Sequence, residues 1–420
     1  MAKLFSSRGL KTTIISTPPF SEPVKTAQDS GFDIGLISIK FPPPKSQLPD
    51  HITSLDQVIS DDDRLVPMFV EALSLIQEPI EELLRELNPN CLISDMFLPW
   101  TAASAAAFRI PRLVFHGTSY FSLCAAEELR RHKPFRNVSS DSSPFVVPNL
   151  PHEVRMQVRE ADGRSYGVVV NSFYELEPDY ADHYRNALGR KAWNIGPLLL
   201  YNHRDDCKKP AIDARECLAW LDSKKANSVV YACFGSMAKF SLAQLNEIAD
   251  GLDASGHDFI WVVRKANDDD GQLPTERFEG RGLIIRGWAP QVVILDHPAI
   301  GAFVTHCGWN STLEGVCAGV PMVTWPLFAE QFYNEKLVTE VLRTGVPVGN
   351  KKWQRTRHEG VTKDAVSKAV QLAMAGESAP EMRRRAANYK EMARKAVEEG
   401  GSSHNDLTAF IQDLSAYRPR

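Results

Sequence analysis

The stretch GAFVTHCGWNSTLEGVCAGVPMVTWP, residues 301–326, places glycine, histidine, asparagine and serine between apolar segments. Its first residues have the continuous apolar pattern of a buried strand, and residues 311–319 have the composition of a helix. Residues 320–326 return to a buried-strand pattern. A strand, a helix and a second strand in this order form the βαβ unit of a parallel sheet, so this stretch predicts an α/β fold.

The same alternation continues on both sides of this unit. Further strands are predicted at 11–17, 33–41, 91–97, 112–117, 166–173, 228–236, 258–264 and 282–288. Helices are predicted at 64–87, 101–110 and 119–132, after a capping box at 241–244, and as three Arg-, Lys-, Glu- and Ala-rich helices that close the chain. Residues 133–163 are rich in proline and serine and are predicted to be mostly loop.

The length and the pattern together predict two domains. A chain of 420 residues is too long for one hydrophobic core. Residues 193–216 mix polar residues with proline and are the best interdomain linker. Two Rossmann-like units facing across a cleft are therefore expected, with ligands at the carboxyl ends of the strands.

Composition excludes several classes of protein. The formal net charge is −4, which does not favour binding to nucleic acid or to an acidic membrane surface. No apolar run approaches the ~20 residues of a membrane span, and the N-terminus does not read as a signal peptide. The seven cysteines are scattered without CxxC spacing, which favours buried thiols in a cytoplasmic protein and no metal site.

The turn between the strand and the helix has the chemistry of an anion site. Gly308 lets a ligand approach the backbone, while Asn310 and Ser311 occupy the expected N-cap position. The amides and the dipole of the helix favour a phosphate, to which His306 can also donate a hydrogen bond. Ser236 follows another predicted strand and can reach the same ligand.

Glu314 extends this reading to a nucleotide. It lies one turn into the helix, where a carboxylate disfavours a phosphate but can accept hydrogen bonds from a ribose diol. These residues favour a nucleotide diphosphate, with a merely capped helix as the open alternative. A nicotinamide-dependent oxidoreductase is the weaker alternative, because no GxGxxG follows any predicted strand.

Residues 288–331 read WAPQVVILDHPAIGAFVTHCGWNSTLEGVCAGVPMVTWPLFAEQ. This segment resembles, without a gap, the donor box of plant UDP-sugar-dependent glycosyltransferases. The resemblance extends through FVVPNLPHE, YGVVVNSFYELE, ECLAWLDSKK and YKEMARKAVEEGGSS, and is closest to the subgroup that glucosylates flavonoids, triterpenoids and phenols. It implies the two-domain GT-B fold.

The resemblance also implies roles for individual residues. Trp288 would stack on uracil, Ala289 and Gln291 would fix base and ribose, and Glu314 would bind the ribose hydroxyls. The diphosphate would be held by His306, Asn310, Ser311 and Ser236, beside Gly308. Trp309, Glu330 and Gln331 would bind the sugar, and a closing glutamine is associated with glucose.

The family's reaction inverts the anomeric carbon, using a histidine base that an aspartate orients. Asp95 matches the aspartate, with an N-cap as its alternative reading. The histidine has no counterpart, because relatives carry it in a turn just before the segment that matches MAKLFSSRG, where this sequence begins. The first strand of the N-terminal sheet has no counterpart in this sequence either, and residues 152–163 and 276–285 are short against relatives. Two readings stay open: the sequence is incomplete at these places, or the N-terminal domain is compromised. His116 could line the acceptor pocket.

The resulting prediction is an inverting UDP-glucose-dependent glucosyltransferase that acts on a hydroxyl of a small lipophilic acceptor. The alternative is a catalytically impaired UDP-sugar-binding protein. The expected domains are residues 1–196 for the acceptor and 197–404 for the donor, with residues 405–420 as a helix packing back on the first domain. A monomer without cofactor or metal is expected.

Overall fold

The computed structural model describes residues 1–55, 57–58, 63–137, 145–156, 167–201, 212, 214–263, 278, 280–354 and 359–417. The strands are β1 Thr12–Ser16, β2 Ile34–Ser38, β3 Leu92–Asp95, β4 Arg112–His116, β5 Phe145–Val147, β6 Val154–Met156, β7 Gly167–Val170, β8 Ala192–Asn194, β9 Val229–Cys233, β10 Asp258–Val263, β11 Gly282–Arg286, β12 Ile300–Thr305, β13 Met322–Thr324 and β14 Gly345–Pro347.

The α-helices alternate with these strands, as the sequence predicts for an α/β fold. They are α1 Ala2–Ser6, α2 Glu22–Asp29, α3 Val66–Leu75, α4 Gln77–Leu87, α5 Thr101–Ala107, α6 Tyr120–His132, α7 Pro178–Asp182, α8 Ala214–Asp222, α9 Leu242–Ala254, α10 Gln291–Leu295, α11 Trp309–Ala318, α12 Gln331–Lys336, α13 Lys363–Ala375, α14 Ala379–Val397 and α15 Ser402–Ala416.

The C-terminal sheet has six parallel strands in the order β11-β10-β9-β12-β13-β14. Successive residues of β9 and β12 point to opposite faces, as the pleat requires. Tyr231 and Phe303 belong to one hydrophobic cluster, and Val230 and Val304 belong to another. The two central strands are therefore buried on both faces, which explains why their sequences are apolar without alternation.

The N-terminal half contains two separate parallel sheets, β1-β2 and β3-β4-β7-β8. Among the described residues, no ladder joins β1 or β2 to β3. The C-terminal helix α15 packs on the four-stranded sheet, where Leu407 and Phe410 share a cluster with Leu113 and Val169.

The single helix predicted over 64–87 is wrong, because the structure has α3 and α4 with a break at Ile76. Pro79 explains the break: it has no backbone N–H, and its ring would clash with the carbonyl of residue 75 in a continuous helix. The capping box is half formed. Ser241 caps α9 by accepting from the Gln244 amide, but the Gln244 side chain bonds the backbone of Val361 instead.

Three short strands fall inside or overlap segments predicted as loop or linker. The antiparallel pair β5-β6 lies within residues 133–163, and β8 uses the first two residues of the predicted linker. Strands of three residues carry too little periodicity to be recognised. Residues 202–211 of the linker, and 157–163 and 276–277 of the stretches expected to be short, lie outside the described residues.

Candidate active site

The donor loop, which we define as residues 306–308, connects β12 to α11 at the carboxyl edge of the C-terminal sheet. Gly308 is the N-cap, with no side-chain cap, and the helix begins at Trp309. The N-cap position predicted for Asn310 and Ser311 is therefore wrong; they are the second and third residues of the helix. A glycine cap leaves the first helical turn open to a ligand, which suits the predicted anion site.

Two glycines enclose the His306 ring. A Cβ built on Gly308 would lie 2.5 Å from His306 Nε2, and a Cβ on Gly235 would lie 2.8 Å from the same atom. Gly235 also has a φ of +71°, which disfavours any side chain. The ring is thus wedged between the turn after β9 and the donor loop, and both glycines are needed for its position.

Gln291 connects the parts of the predicted nucleotide site. Its amide nitrogen donates to Ser311 Oγ at 3.1 Å and to Glu314 Oε2 at 2.5 Å. Its carbonyl oxygen accepts from the Tyr231 hydroxyl at 3.1 Å. The three residues that the sequence assigned to base, ribose and diphosphate are therefore neighbours, and the charged Glu314 oxygen is held in a fixed orientation.

Trp288 and Ser236 are exposed residues of the predicted donor site. Trp288 is 40% exposed just after β11, whereas the adjacent Ala289 is buried. An exposed indole offers a flat apolar face on which a base can stack. Ser236 is exposed in the turn after β9, and β9 is the parallel neighbour of β12, so this turn and the donor loop share one sheet edge.

Trp309, which the resemblance assigns to the sugar, is held by contacts inside the protein. It is 1% exposed, and its Nε1 donates to the Asn171 carbonyl of the N-terminal half at 2.8 Å. Its backbone amide donates to the Glu330 carboxylate, although burial raises the pKa of that carboxyl. The Gln331 carbonyl oxygen accepts from the amides of Leu327 and Phe328, which leaves its amide group to donate.

Asp95 ends β3 with an exposed side chain. Its Oδ1 accepts from the Phe97 amide at 2.9 Å, and its carbonyl accepts from Arg112 at 3.2 Å. His116 ends the neighbouring strand β4, whose Phe115 is in register with Asp95. The two predicted acceptor-side residues therefore lie at the carboxyl edge of the same sheet.

Sequence reasoning missed the polar contacts between the two halves. Asn334 of α12 bonds both the donor loop and two serines, Ser119 and Ser122, at the start of α6. The Asn171 backbone carbonyl accepts from Trp309, and the Asn171 side-chain oxygen accepts from the Leu198 amide. Of these contacts, the sequence indicated only that Ser119 stands at the start of a helix, because residues 119–132 were predicted to be helical.

Comparison with known proteins places the chain in one family. Residues 157–356 match the family described as "UDP-glucoronosyl and UDP-glucosyl transferase". The scopoletin glucosyltransferase of Nicotiana tabacum is 54% identical over 99% of this chain and 94% of its own length. The chain belongs to this family. It is also 50% identical to the anthocyanin 3'-O-beta-glucosyltransferase of Gentiana triflora, over 99% and 95% of the two chains.

Solved structures of plant UDP-glycosyltransferases match the whole fold, which is the GT-B fold. The UGT of Glycyrrhiza uralensis crystallised with glycyrrhetinic acid 3-O-monoglucuronide has a TM-score of 0.88 at 39% identity, covering 99% of this chain and 92% of its own. The Arabidopsis thaliana UGT complexed with UDP-L-rhamnose has a TM-score of 0.78 at 29% identity, covering 97% and 92%.

Two further findings concern the length of the chain and the character of its helices. The alignment with the Nicotiana protein is 451 positions long, which exceeds the 420 residues here, so the relative carries residues that this chain lacks. Among the helices that the structure describes, none combines the length and the apolar character that crossing a membrane requires.

Proposed function

We propose that this UDP-glycosyltransferase transfers glucose from UDP-glucose to a hydroxyl of a small lipophilic acceptor, with inversion at the anomeric carbon. The network around Gln291 carries the donor half of this proposal, because it brings together the residues suited to ribose and phosphate beside the exposed Trp288. The two relatives of highest identity reported above are glucosyltransferases by name, which supports glucose as the sugar.

The acceptor proposal rests on the surface that follows Asp95. Met96 is 40% exposed and Phe97 is 65% exposed, so two large apolar side chains face solvent directly beside an exposed carboxylate. An apolar acceptor would cover these side chains and gain about 25 cal/mol for each Å² of apolar surface removed from water. Flavonoid, coumarin and triterpenoid alcohols have this chemistry.

For the chemical step, we propose that Asp95 stabilises the positive charge that develops on the base which deprotonates the acceptor hydroxyl. The base itself is unassigned, and His116 is the residue to test first, because it ends the strand next to that of Asp95. We propose that no metal ion is needed, since the helix dipole of α11 and the side chains around it can stabilise the leaving diphosphate. A monomeric, cytoplasmic enzyme completes the proposal.

The test is product formation by the full chain with matched donors and acceptors. UDP-glucose, UDP-galactose and UDP-glucuronic acid are each incubated with scopoletin, quercetin or glycyrrhetinic acid, with and without EDTA, and products are identified by mass. We expect glucosides from UDP-glucose, unchanged by EDTA. Products from another donor alone would contradict the choice of sugar.

The alternative, a binding protein that lacks transfer, predicts a different result: UDP binds, but no acceptor gives a product. The comparisons do not favour this alternative, because the relatives are transferases by name. A His116→Ala variant in the same assay decides whether that residue takes part. We expect reduced turnover with unchanged UDP affinity if it serves as the base.

A further inference from the structure

Cys307, the central residue of the donor loop, has an unusual backbone conformation. Its φ is +63°, in the left-handed region that residues with a side chain rarely adopt. The residue is fully buried between β12 and α11. Such a conformation persists only where surrounding contacts hold it. The conformation also sets the direction in which the chain enters Gly308 and the first amides of α11.

Asn334 supplies one of these contacts from α12. The Asn334 side chain is fully buried, and its Nδ2 donates to the Cys307 carbonyl at 2.9 Å. The orientation of the amide group is fixed by chemistry, because a backbone carbonyl can only accept. Without this donor, the buried Cys307 carbonyl would lose its hydrogen bond from Asn334, which is costly.

The other end of the Asn334 side chain reaches the N-terminal half. Its Oδ1 lies 3.1 Å from Ser119 Oγ and 3.1 Å from Ser122 Oγ. Ser119 is the N-cap of α6, and its hydroxyl oxygen also accepts from the Ser122 amide at 3.0 Å. These two hydroxyls are therefore fixed by the start of a helix that follows β4, the strand of His116.

We propose that Asn334 is a positioning residue for donor binding: it holds the left-handed Cys307, and Ser119 and Ser122 hold Asn334 from the acceptor half. This inference rests on the proposed function, since it takes the donor loop to bind the diphosphate. It predicts that residues of the N-terminal half which touch neither UDP nor sugar influence the affinity for UDP.

The test is calorimetric titration of UDP into the full chain, which needs neither acceptor nor turnover. The variants are Asn334→Ala, Asn334→Asp and the double variant Ser119→Ala with Ser122→Ala. Ser255→Ala is the matched control, because Ser255 is a buried serine bonded to a helix carbonyl at the opposite, amino-terminal edge of the C-terminal sheet. Each variant is compared with the wild type at about pH 6.5 and about pH 8.5.

We expect Asn334→Ala to bind UDP at least about tenfold more weakly, the double serine variant to bind a few-fold more weakly, and Ser255→Ala to bind as the wild type does. The Asn334→Asp variant adds a second measurement, the pH dependence of UDP affinity, which would not change if Asn334 only filled space. A carboxyl buried here has a raised pKa; protonated it can donate to Cys307, and ionised it cannot. We therefore expect its affinity, relative to the wild type, to fall as the pH rises.

Three results would overturn the inference. One is wild-type affinity in a folded Asn334→Ala protein. If that variant does not fold, the Asn334→Asp protein decides, and a pH-independent ratio to the wild type overturns the proposal. A wild-type chain that does not bind UDP overturns both this inference and the proposed donor site. If UDP binds but its affinity is unchanged by the Asn334 substitutions, only this inference is overturned.

Discussion

The two halves of the molecule pair their strands to different extents. In the C-terminal sheet, two of the six strands, β11 and β14, are edge strands. In the N-terminal half, where six parallel strands form two sheets, β1, β2, β3 and β8 are all edges in the described part of the chain. Most residues of β1 and β3 are half-buried, whereas those of β9 and β12 are almost all buried.

We expect this difference to separate donor binding from glucose transfer. Edge strands leave backbone groups without ladder partners, and such groups cost stability when water cannot reach them. The donor loop follows β12, which pairs with both β9 and β13, while Asp95 ends β3, which pairs only with β4 in the described part of the chain. Donor binding is therefore expected to depend on a rigid, preformed site, and transfer on the less well-paired half.

The largest expected effect is on transfer alone. Asp95→Asn keeps the oxygen that accepts from the Phe97 amide but removes the charge. We expect glucoside formation to fall by about 10²-fold or more, the usual size of a lost acid–base group, with UDP affinity within about twofold of the wild type.

The matched control is Asp33→Asn, an exposed aspartate at the opposite end of the neighbouring sheet, before β2. It should leave both quantities unchanged. Equal turnover in the Asp95 and Asp33 variants would remove Asp95 from the mechanism and break the proposed separation of the halves.

Next in size is a steric change in the donor loop. Gly308→Ala places a methyl group within 2.5 Å of His306 Nε2, while the φ of −58° at Gly308 suits alanine. The ring must move, so we expect UDP affinity measured by calorimetry to fall by about tenfold or more, as for loss of a charge-assisted or well-ordered hydrogen bond. A methyl group added at Gly117 would meet no atom within 4 Å, so Gly117→Ala should bind UDP as the wild type does. A similar loss of UDP affinity in both variants would refute the steric account.

A smaller change tests the ribose contact. Glu314→Ala removes the carboxylate that Gln291 orients. We expect UDP affinity to fall about tenfold, which is the lower end of the roughly 1.5–3 kcal/mol that a hydrogen bond to a charged group contributes, because Gln291 can still reach Ser311. Pyrophosphate, which has no ribose, is the control ligand: its affinity should not fall, and a parallel loss for both ligands would contradict the assignment.

The last expected effect is on stability and not on ligand binding or turnover: a pH dependence of stability in the N-terminal half. Burial raises the pKa of Glu177 to about 7, against backbone and Ser172 hydrogen bonds that lower it. A carboxyl with a raised folded-state pKa stabilises the fold most at low pH, and this contribution is lost as the pH rises from about 4.5 through about 7.

Glu177→Gln should remove this contribution, because an amide can accept from Phe121 and donate to Ser172 without ionising. The free energy of unfolding, measured in urea, should decrease between pH 5 and pH 8 in both proteins. We expect the decrease to be about 1–3 kcal/mol smaller in the variant than in the wild type. Identical slopes in the two proteins would contradict the buried carboxyl account. Burial also raises the pKa of Glu335 in the C-terminal half to about 7, so part of the dependence should remain.

The C-terminal half was the more predictable from sequence, for a physical reason. Its buried parallel strands are continuous apolar runs separated by glycine-containing turns, so β9 to β13 and the turn at the donor loop are predicted close to their observed positions. The predicted N-cap was wrong because glycine at position 308 can itself end the turn. In the N-terminal half, Pro79 divides a helix whose apolar stripe is continuous, and β8 is too short to show a period.

The candidate site shows the same limit. Residue types and spacing singled out Glu314 and His306, and the family resemblance added Gln291. The burial of Trp309 in the interface between the halves depends instead on a contact between residues 138 positions apart in sequence. The Asn334 bridge joins residues more than two hundred positions apart. Local patterns carry no information on such pairs, so only the folded structure could reveal them.

The most direct test is amide hydrogen exchange of the full chain, read by mass spectrometry, with and without UDP. Exchange reports local opening, so the strands β9, β10 and β12 should be protected before UDP is added, and β1, β2 and β3 should exchange faster. UDP should add protection at residues 286–295 and 305–316, with little change in β1 to β3. Equal protection of the two halves without UDP, or protection by UDP confined to the N-terminal half, would contradict the account.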